Sequence, residues 1–270
     1  MKIQNQAMVA FTVGRYQKNN TQMEKTMEKL ASGIEIKKAS DNASGLAVSE
    51  TMKAQIRGLS QAQRNMQDGL SVLEAADSGL NHVNGLLQRA RELSVMAAND
   101  TLTNEDRQAS QVELEQLLQG IDDTAEKLEF NTKKILGENA PLILTVSANP
   151  GQQIKIDLVD TSTSALGLDS SSLLTRESAE QLITSVDKAI TKVANDLTQI
   201  GSYYEAIEHH LTNAKTYEAN MTTSYSMLKD TNMSKKMIDM ATLSIRKKGD
   251  QILVSEVNQS AQNVLKLFQN

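Results

Sequence analysis

The stretch from Val186 to Leu228, VDKAITKVANDLTQIGSYYEAIEHHLTNAKTYEANMTTSYSML, decides the fold. Steps of three and four residues pick out Val186, Ile190, Val193, Leu197, Ile200, Tyr204, Ile207, Leu211, Ala214, Glu218, Met221, Tyr225 and Leu228. Only Glu218 in that series is charged, and only Gly201 weakens the run. A strict 3-4 alternation keeps one apolar seam on one side of a helix. At about 1.5 Å per residue the seam is roughly 60 Å long, more than one short helix could cover. The sequence must therefore supply equally long partners, because a single amphipathic helix is marginal in water.

Working toward the N-terminus, Leu46 to about Asn99 repeats the pattern through Met52, Ile56, Leu59, Met66, Leu70, Leu73, Ala76, Leu80, Val83, Leu87 and Ala90. Gly58, Gly69, Gly79 and Gly85 interrupt it, each at a cost of up to about 1 kcal/mol in a helix interior, and they mark a bend or places of close approach. Thr103-Asn-Glu-Asp106 has capping-box spacing. A second helix follows to about Leu128, with Leu114, Leu117, Ile121, Ala125 and Leu128 on one face, and is expected to fold back on the first. Pro141, then Leu142 to Val146, the turn Asn149-Pro150-Gly151, and Ile154, Ile156, Leu158 alternating with Lys155 and Asp157 read as a β-hairpin at about 142–159.

The two ends are weaker. Residues 1 to 34 carry Ile3, Met8, Phe11, Met23, Met27, Leu30 and Ile34, interrupted by Asn19-Asn20. Residues 233 to 268 carry Met233, Met237, Met240, Leu253, Val257, Ala261, Val264 and Phe268, interrupted by Lys247-Lys248-Gly249. Breaks at Lys38 to Gly45 and at Lys229 to Asn232 look like spokes joining weak outer helices to strong inner ones. If the strong helices are antiparallel, the spokes lie together and the terminal helices pair. The expected fold class is mainly α: a long antiparallel bundle with one β-hairpin, at 43–229, plus paired terminal helices at 1–42 and 230–270. Two Met-rich ends with nothing internal to cover them point to burial between subunits of a polymer. The residues expected there are Met8, Phe11, Met23, Met27, Leu30, Met237, Leu253, Val264 and Leu267.

Composition narrows the function. The 270 residues are 39% hydrophobic but only 3% aromatic, which suits thin helix-on-helix seams rather than a thick core. Residues 1–40 hold seven Lys/Arg against three Glu and residues 229–270 seven against four Asp/Glu; with a total of −5 the ends are +4 and +3 and the middle −12. Interleaved acids on overall acidic helices read as solvated faces, so no nucleic-acid partner is expected. No run approaches a membrane span and the start lacks a signal-peptide apolar core, so if the protein leaves the cell it is expected to do so without a cleaved secretory leader. The absence of Cys leaves the redox compartment open. His82 is alone on its stripe, and adjacent His209 and His210 point about 100° apart, so no metal site is expected. With no phosphate loop, no Gly-x-Ser-x-Gly and no His-Glu-x-x-His, neither a cofactor nor enzyme activity is expected. The twelve Met read as adaptable packing.

The sequence also resembles bacterial flagellin. The resemblance runs through Met27-Glu-Lys-Leu30-Ala-Ser-Gly33, Ala39-Ser-Asp-Asn-Ala-Ser-Gly-Leu-Ala-Val-Ser-Glu50 and Gln55-Ile-Arg-Gly-Leu59. It continues through Arg64-Asn-Met-Gln-Asp-Gly69, Leu87-Gln-Arg-Ala-Arg-Glu-Leu93, Ala97-Ala-Asn-Asp-Thr101, Glu129-Phe-Asn-Thr-Lys133, Ile207-Glu-His209 and Leu228-Lys-Asp-Thr-Asn-Met233. It implies a self-assembling subunit of an extracellular flagellar filament, with the terminal helices as an inner tube and the long helices as the next shell. The family's variable outer domains are missing, and only the Thr161–Ser172 loop stands in their place. The resemblance further implies type III export, an export chaperone on the C-terminal segment, and filament-cap and hook-junction neighbours. It also implies a surface at Gln88, Arg89, Leu93 and Glu113 for a Toll-like receptor or for neighbouring subunits. Departures are Ala206 where Arg is usual, Asn232 where Asp is common, and the basic Arg246-Lys-Lys-Gly249. Two other readings stay open from the residues: a hook-filament junction protein, and a soluble coiled coil that binds a partner helix.

Overall fold

A computed structural model describes the backbone of residues 2–137 and 141–267, and the side chains of residues 7–137, 141–259 and 262. In chain order the elements are α1 (Lys2–Ser32), α2 (Ala43–Ala97), α3 (Asn104–Lys127), β1 (Glu129–Phe130), β2 (Lys133–Lys134), β3 (Pro141–Thr145), β4 (Gln153–Asp157), α4 (Thr163–Leu166), α5 (Arg176–Lys229) and α6 (Met233–Leu267). They group into two compact units. One comprises residues 55–219; the other comprises residues 1–54 with 220–270.

The 55–219 unit is organised on two heptad rows. In α2 one buried row runs Leu59, Ala62, Met66, Gly69, Leu73, Ala76, Leu80, Val83, Leu87, Ala90, Ser94 and Ala97, an unbroken 3-4 alternation, with Val72, Gly79 and Leu93 buried beside it. In α5 the buried positions are Ala179, Leu182, Val186, Ala189, Val193, Asp196 and Ile200, then Ile207, Leu211 and Ala214. The helices run antiparallel: Arg91 meets Asp187 at 2.7 Å, and Gln63 donates to Glu218 at 2.6 Å. Each fully buried Leu, Ile or Val contributes about 1.5–3 kcal/mol, so these rows supply most of the cohesion. The α5 row differs from the expected seam at alternate steps as far as Tyr204, beyond which Ile207, Leu211 and Ala214 are buried as expected. Ile190, Leu197 and Tyr204 are half-buried, and the deeper positions belong to Ala189 and Asp196. Asp196 is 9% exposed, and its Oδ2 has no hydrogen-bond partner; Oδ1 of Asn84 is in the same state. Burial pushes the Asp196 carboxyl up from its ordinary range, with Lys192 opposing.

The α2–α3 turn is held from both sides. Thr103 caps α3 in a full capping box with Asp106, and the guanidinium of buried Arg107 donates to the carbonyls of Ala97 and, at 3.0 Å, Asn99. Carbonyls at a helix end have no partner within the helix, and Arg107 supplies one here; the Asn99 carbonyl also accepts from the Leu102 N–H at 3.4 Å. The hairpin pairs Pro141 with Asp157 through to Thr145 with Gln153, turning Leu144 and Ile156 inward and Ile143 outward. The glycines of α2 explain how it sits down. A Cβ on Gly58 would lie 2.6 Å from Ala148 Cβ, one on Gly69 2.6 Å from Leu144 Cδ2, and one on Gly79 2.6 Å from Leu128 Cδ2. What approaches the helix at Gly58 and Gly69 is thus the hairpin and its turn, and at Gly79 the segment after α3. A further two-residue ladder joins β1 and β2 across Asn131 and Thr132, both at positive φ, as a tight hairpin turn requires.

In the other unit α1 pairs with α6, and both run without a break. Gly33, at φ +69°, ends α1. The spokes meet there: Glu35 N–H donates to the Lys229 carbonyl and Thr231 N–H to the Gly33 carbonyl, each at 2.8 Å. The Glu35 carboxylate takes Lys29 at 2.8 Å and Lys236 at 3.1 Å. The Lys29 hydrogen bond, first among its causes, holds Glu35 below the usual carboxylate range.

Candidate assembly surface

The heptad spacing of α1 places Val9, Thr12, Tyr16, Asn19, Met23, Thr26 and Leu30 on one face, all buried or half-buried. On α6 the corresponding row is Lys236, Met240, Leu243, Lys247, Asp250, Val254 and Val257. This seam is unusually polar for a helix pair. The interruptions Asn19-Asn20 and Lys247-Lys248-Gly249 do not break the helices; they face each other. Asp250 takes Arg15 at 3.1 Å and the Asn19 amide, and Lys247 donates to Asn20 at 2.7 Å.

The large apolar side chains lie elsewhere. Ile238, Ile245 and Ile252, seven residues apart on α6, are 67%, 72% and 68% exposed. Ile245 is two residues past Leu243, about 200° around the helix from the covered face. Among the residues expected at subunit contacts, Met8, Phe11, Met27, Met237 and Leu253 are exposed. Met23 and Leu30 are half-buried on the α1 seam face, and the side chains of Val264 and Leu267 lie outside the described residues. The isoleucine row was missed in the sequence reading because methionines drew it to Met233, Met237 and Met240; a spacing of seven was there to find.

The second expected surface is only partly available. Arg89, whose bonds to Glu113 (2.8 Å) and Glu92 (2.9 Å) raise its pKa, is exposed with Gln88. Leu93, however, is 2% exposed and belongs to the core, so it is corrected from a surface residue to a packing one. Its position beside Ser94 in the α2 row turns it inward. His82, His209 and His210 are exposed, and among the described residues there is no group of three or more His, Cys, Asp or Glu able to hold a metal. No described helix is long and apolar enough to cross a membrane.

A long antiparallel bundle, a hairpin seated on glycines, and a terminal helix pair whose apolar face is turned outward define a helical structural protein. The family models agree: the bacterial flagellin N-terminal helical region matches residues 3–140, and the flagellin C-terminal helical region residues 183–268. A flagellin of Halalkalibacterium halodurans is 35% identical over 253 residues, covering 93% of each chain. The flagellin of Bacillus subtilis strain 168 is 32% identical and covers 99% of this chain and 100% of its own. The crystal structure of Bacillus cereus flagellin superposes with a TM-score of 0.52 at 31% identity, over 56% of this chain and 88% of that one. The chain belongs to the bacterial flagellin family. As such it is a structural subunit of the extracellular flagellar filament, which serves motility, and not an enzyme.

Proposed function

We propose that this flagellin polymerises by covering the outward apolar face of its terminal helices with sister subunits. Residues 1–42 and 230–270 then form the inner tube of the filament, and residues 43–229 the shell around it. The contacts are Met8, Phe11, Met27, Met237 and Leu253, together with Ile238, Ile245 and Ile252; Met23 and Leu30 serve the pairing of α1 with α6 instead. The observation that carries this is the isoleucine row of α6, which is more apolar than the face α6 buries against its own chain. A row of that kind on a lone subunit is an association surface, since each Ile gains about 1.5–3 kcal/mol on burial. Before assembly the same row needs a temporary cover, which is the role of an export chaperone on the C-terminal segment. Gln88, Arg89 and Glu113 form a separate charged patch for neighbouring subunits, open to an innate receptor such as a Toll-like receptor on the dissociated chain. The filament cap and the hook-junction proteins meet the terminal helices at the two ends of the polymer.

The test is the triple variant Ile238→Ser, Ile245→Ser, Ile252→Ser. It is expected to keep the circular dichroism and thermal melting of the central helices and to give no filaments in electron microscopy after seeding. A variant that polymerises like the native chain would refute the reading.

A further inference from the structure

The polar residues of the terminal pair are gathered at one level. Asp250 is 2% exposed and is held by Arg15 and Asn19; Lys247 holds Asn20; Gln251 reaches the Tyr16 hydroxyl at 3.4 Å. Asn19 stands opposite Asp250. Counting seven residues outward along antiparallel helices sets Thr12 opposite Val257 on one side and Thr26 opposite Leu243 on the other, and all four are buried. These two outer layers are nearly interchangeable, a threonine against an aliphatic side chain. The middle layer is not.

We propose that Arg15, Asn19 and Asp250, supported by Asn20 and Lys247, are the register lock of the terminal helix pair. Sliding α6 by one heptad so that Asp250 faces Thr12 would put Met8 where Arg15 now stands. Sliding it the other way sets Asp250 against Thr26, with Gln22 in the place of Arg15. Either shift breaks the bonds of Asp250 to Arg15 and Asn19 and leaves this buried carboxylate to a cation on the far side of its new level, Arg15 a turn beyond Thr12 or Lys29 a turn beyond Thr26, a larger loss than exchanging the outer layers. A single buried polar layer is the best-attested device for fixing register between helices. The spoke contacts at Gly33 and Glu35 lie fourteen and sixteen residues from Asn19, with roughly 20 Å of helix between them and the lock, so the lock is a second fastener rather than part of the first.

The chain has no cysteine, which makes register directly readable. Thr26→Cys with Leu243→Cys reports the native register, and Thr26→Cys with Lys236→Cys reports a one-heptad slip. Intramolecular cross-links are scored by monomer mobility on denaturing gels, in the polymer and in the soluble chain. With the lock intact only the first pair is expected to close. Adding Asn19→Leu and Asp250→Leu should abolish that exclusivity, so that both pairs close. Arg15→Asp alone should do the same, and Arg15→Asp with Asp250→Arg should restore the single register, which separates a lock from a general loss of folding. Closure of only the first pair in the unlocked variants, closure of both with the lock intact, or no rescue by the charge swap would each overturn the proposal. The pairing is within one chain, so a failure to polymerise would count against the assembly reading while leaving these cross-links readable.

Discussion

The central unit and the terminal unit are both built on 3-4 repeats, but they spend their apolar residues in opposite directions. In α2 and α5 the buried rows are Leu59, Met66, Leu73, Leu80 and Leu87 and Val186, Val193, Ile200 and Ile207, with polar residues outside. In α1 and α6 the buried rows include Thr12, Thr26 and Asp250, while Phe11, Ile238, Ile245 and Ile252 face outward. The first arrangement closes a fold within one chain. The second leaves the larger part of the hydrophobic gain uncollected until another surface arrives.

The sharpest way to break this comparison is to make the same truncation in both places. Ile207→Ala removes a fully buried side chain and is expected to destabilise the central unit by about 2–5 kcal/mol in chemical denaturation followed by circular dichroism. Ile245→Ala removes one that is 72% exposed and should leave the denaturation midpoint of the soluble chain unmoved. If the two cost the same, the terminal helices are covered in the lone subunit and the contrast is false.

Asp196 is the exception inside the central row, so its replacement tests how strictly that row wants apolar residues. Asp196→Leu is expected to stabilise the chain at neutral pH by about 1–4 kcal/mol, as replacement of a buried charge by a packed aliphatic often does. Lys192, which eases the Asp196 charge, is itself hydrogen-bonded to the Ala165 carbonyl at 2.8 Å. The pH dependence has a definite sign. Burial raises the folded-state pKa above the unfolded value, so the folded chain takes up its proton first as pH falls. The native chain is therefore relieved between the raised pKa and the ordinary value near ~4, and the advantage of the Leu variant shrinks across that window. Denaturation midpoints at a series of pH values would show it; a variant less stable than native throughout would sink the argument.

The same residue shows what could be read from the chain and what could not. Val186, Val193, Ile200 and Ile207 announce the seam by size and spacing alone. The alternate row was assigned to Ile190, Leu197 and Tyr204, because a pattern reader prefers a large apolar residue to Ala189 or Asp196 at the neighbouring position. Which flank of the row goes deepest depends on where α2 lies, and that is a tertiary fact. Gly58, Gly69, Gly79 and Gly85 were legible only as a bend or places of close approach; Gly85 meets nothing within 4 Å, and that the hairpin comes down on Gly58 and Gly69 was not legible. At the ends, Met8 and Phe11 were legible as uncovered. The isoleucine row was legible in its spacing of seven but was masked by the neighbouring methionines; the Asn19–Asp250 layer was not legible, since polar interruptions look like helix breaks until the partner helix supplies their hydrogen bonds. Leu93 failed for the converse reason: its place in a surface motif said nothing about the direction of its side chain.

The smallest expected effect is at the spokes, where Glu35 joins α1 to α6 through Lys29 and Lys236. Its folded-state pKa is lowered, chiefly by the Lys29 hydrogen bond, so its contribution is present above the unfolded pKa and is lost as pH falls through the folded one. The Glu35 side chain is 34% exposed and Lys29 26%, so solvent screens the pair, and Glu35→Gln is expected to cost only about 0.5–1 kcal/mol at neutral pH and low salt. Global melting governed by the central rows would hardly register it. Amide hydrogen exchange of α1 and α6 would, because local opening of the terminal pair is governed by its own fasteners. Protection near Gly33 and Thr231 should drop in the variant at pH 7 and converge with the native chain at acid pH or in high salt, where the carboxylate is protonated or screened. Equal protection at pH 7 would mean that the backbone bridge between Ile34 and Asp230 holds the spokes alone, and that the terminal unit leans even less on charge than its polar seam implies.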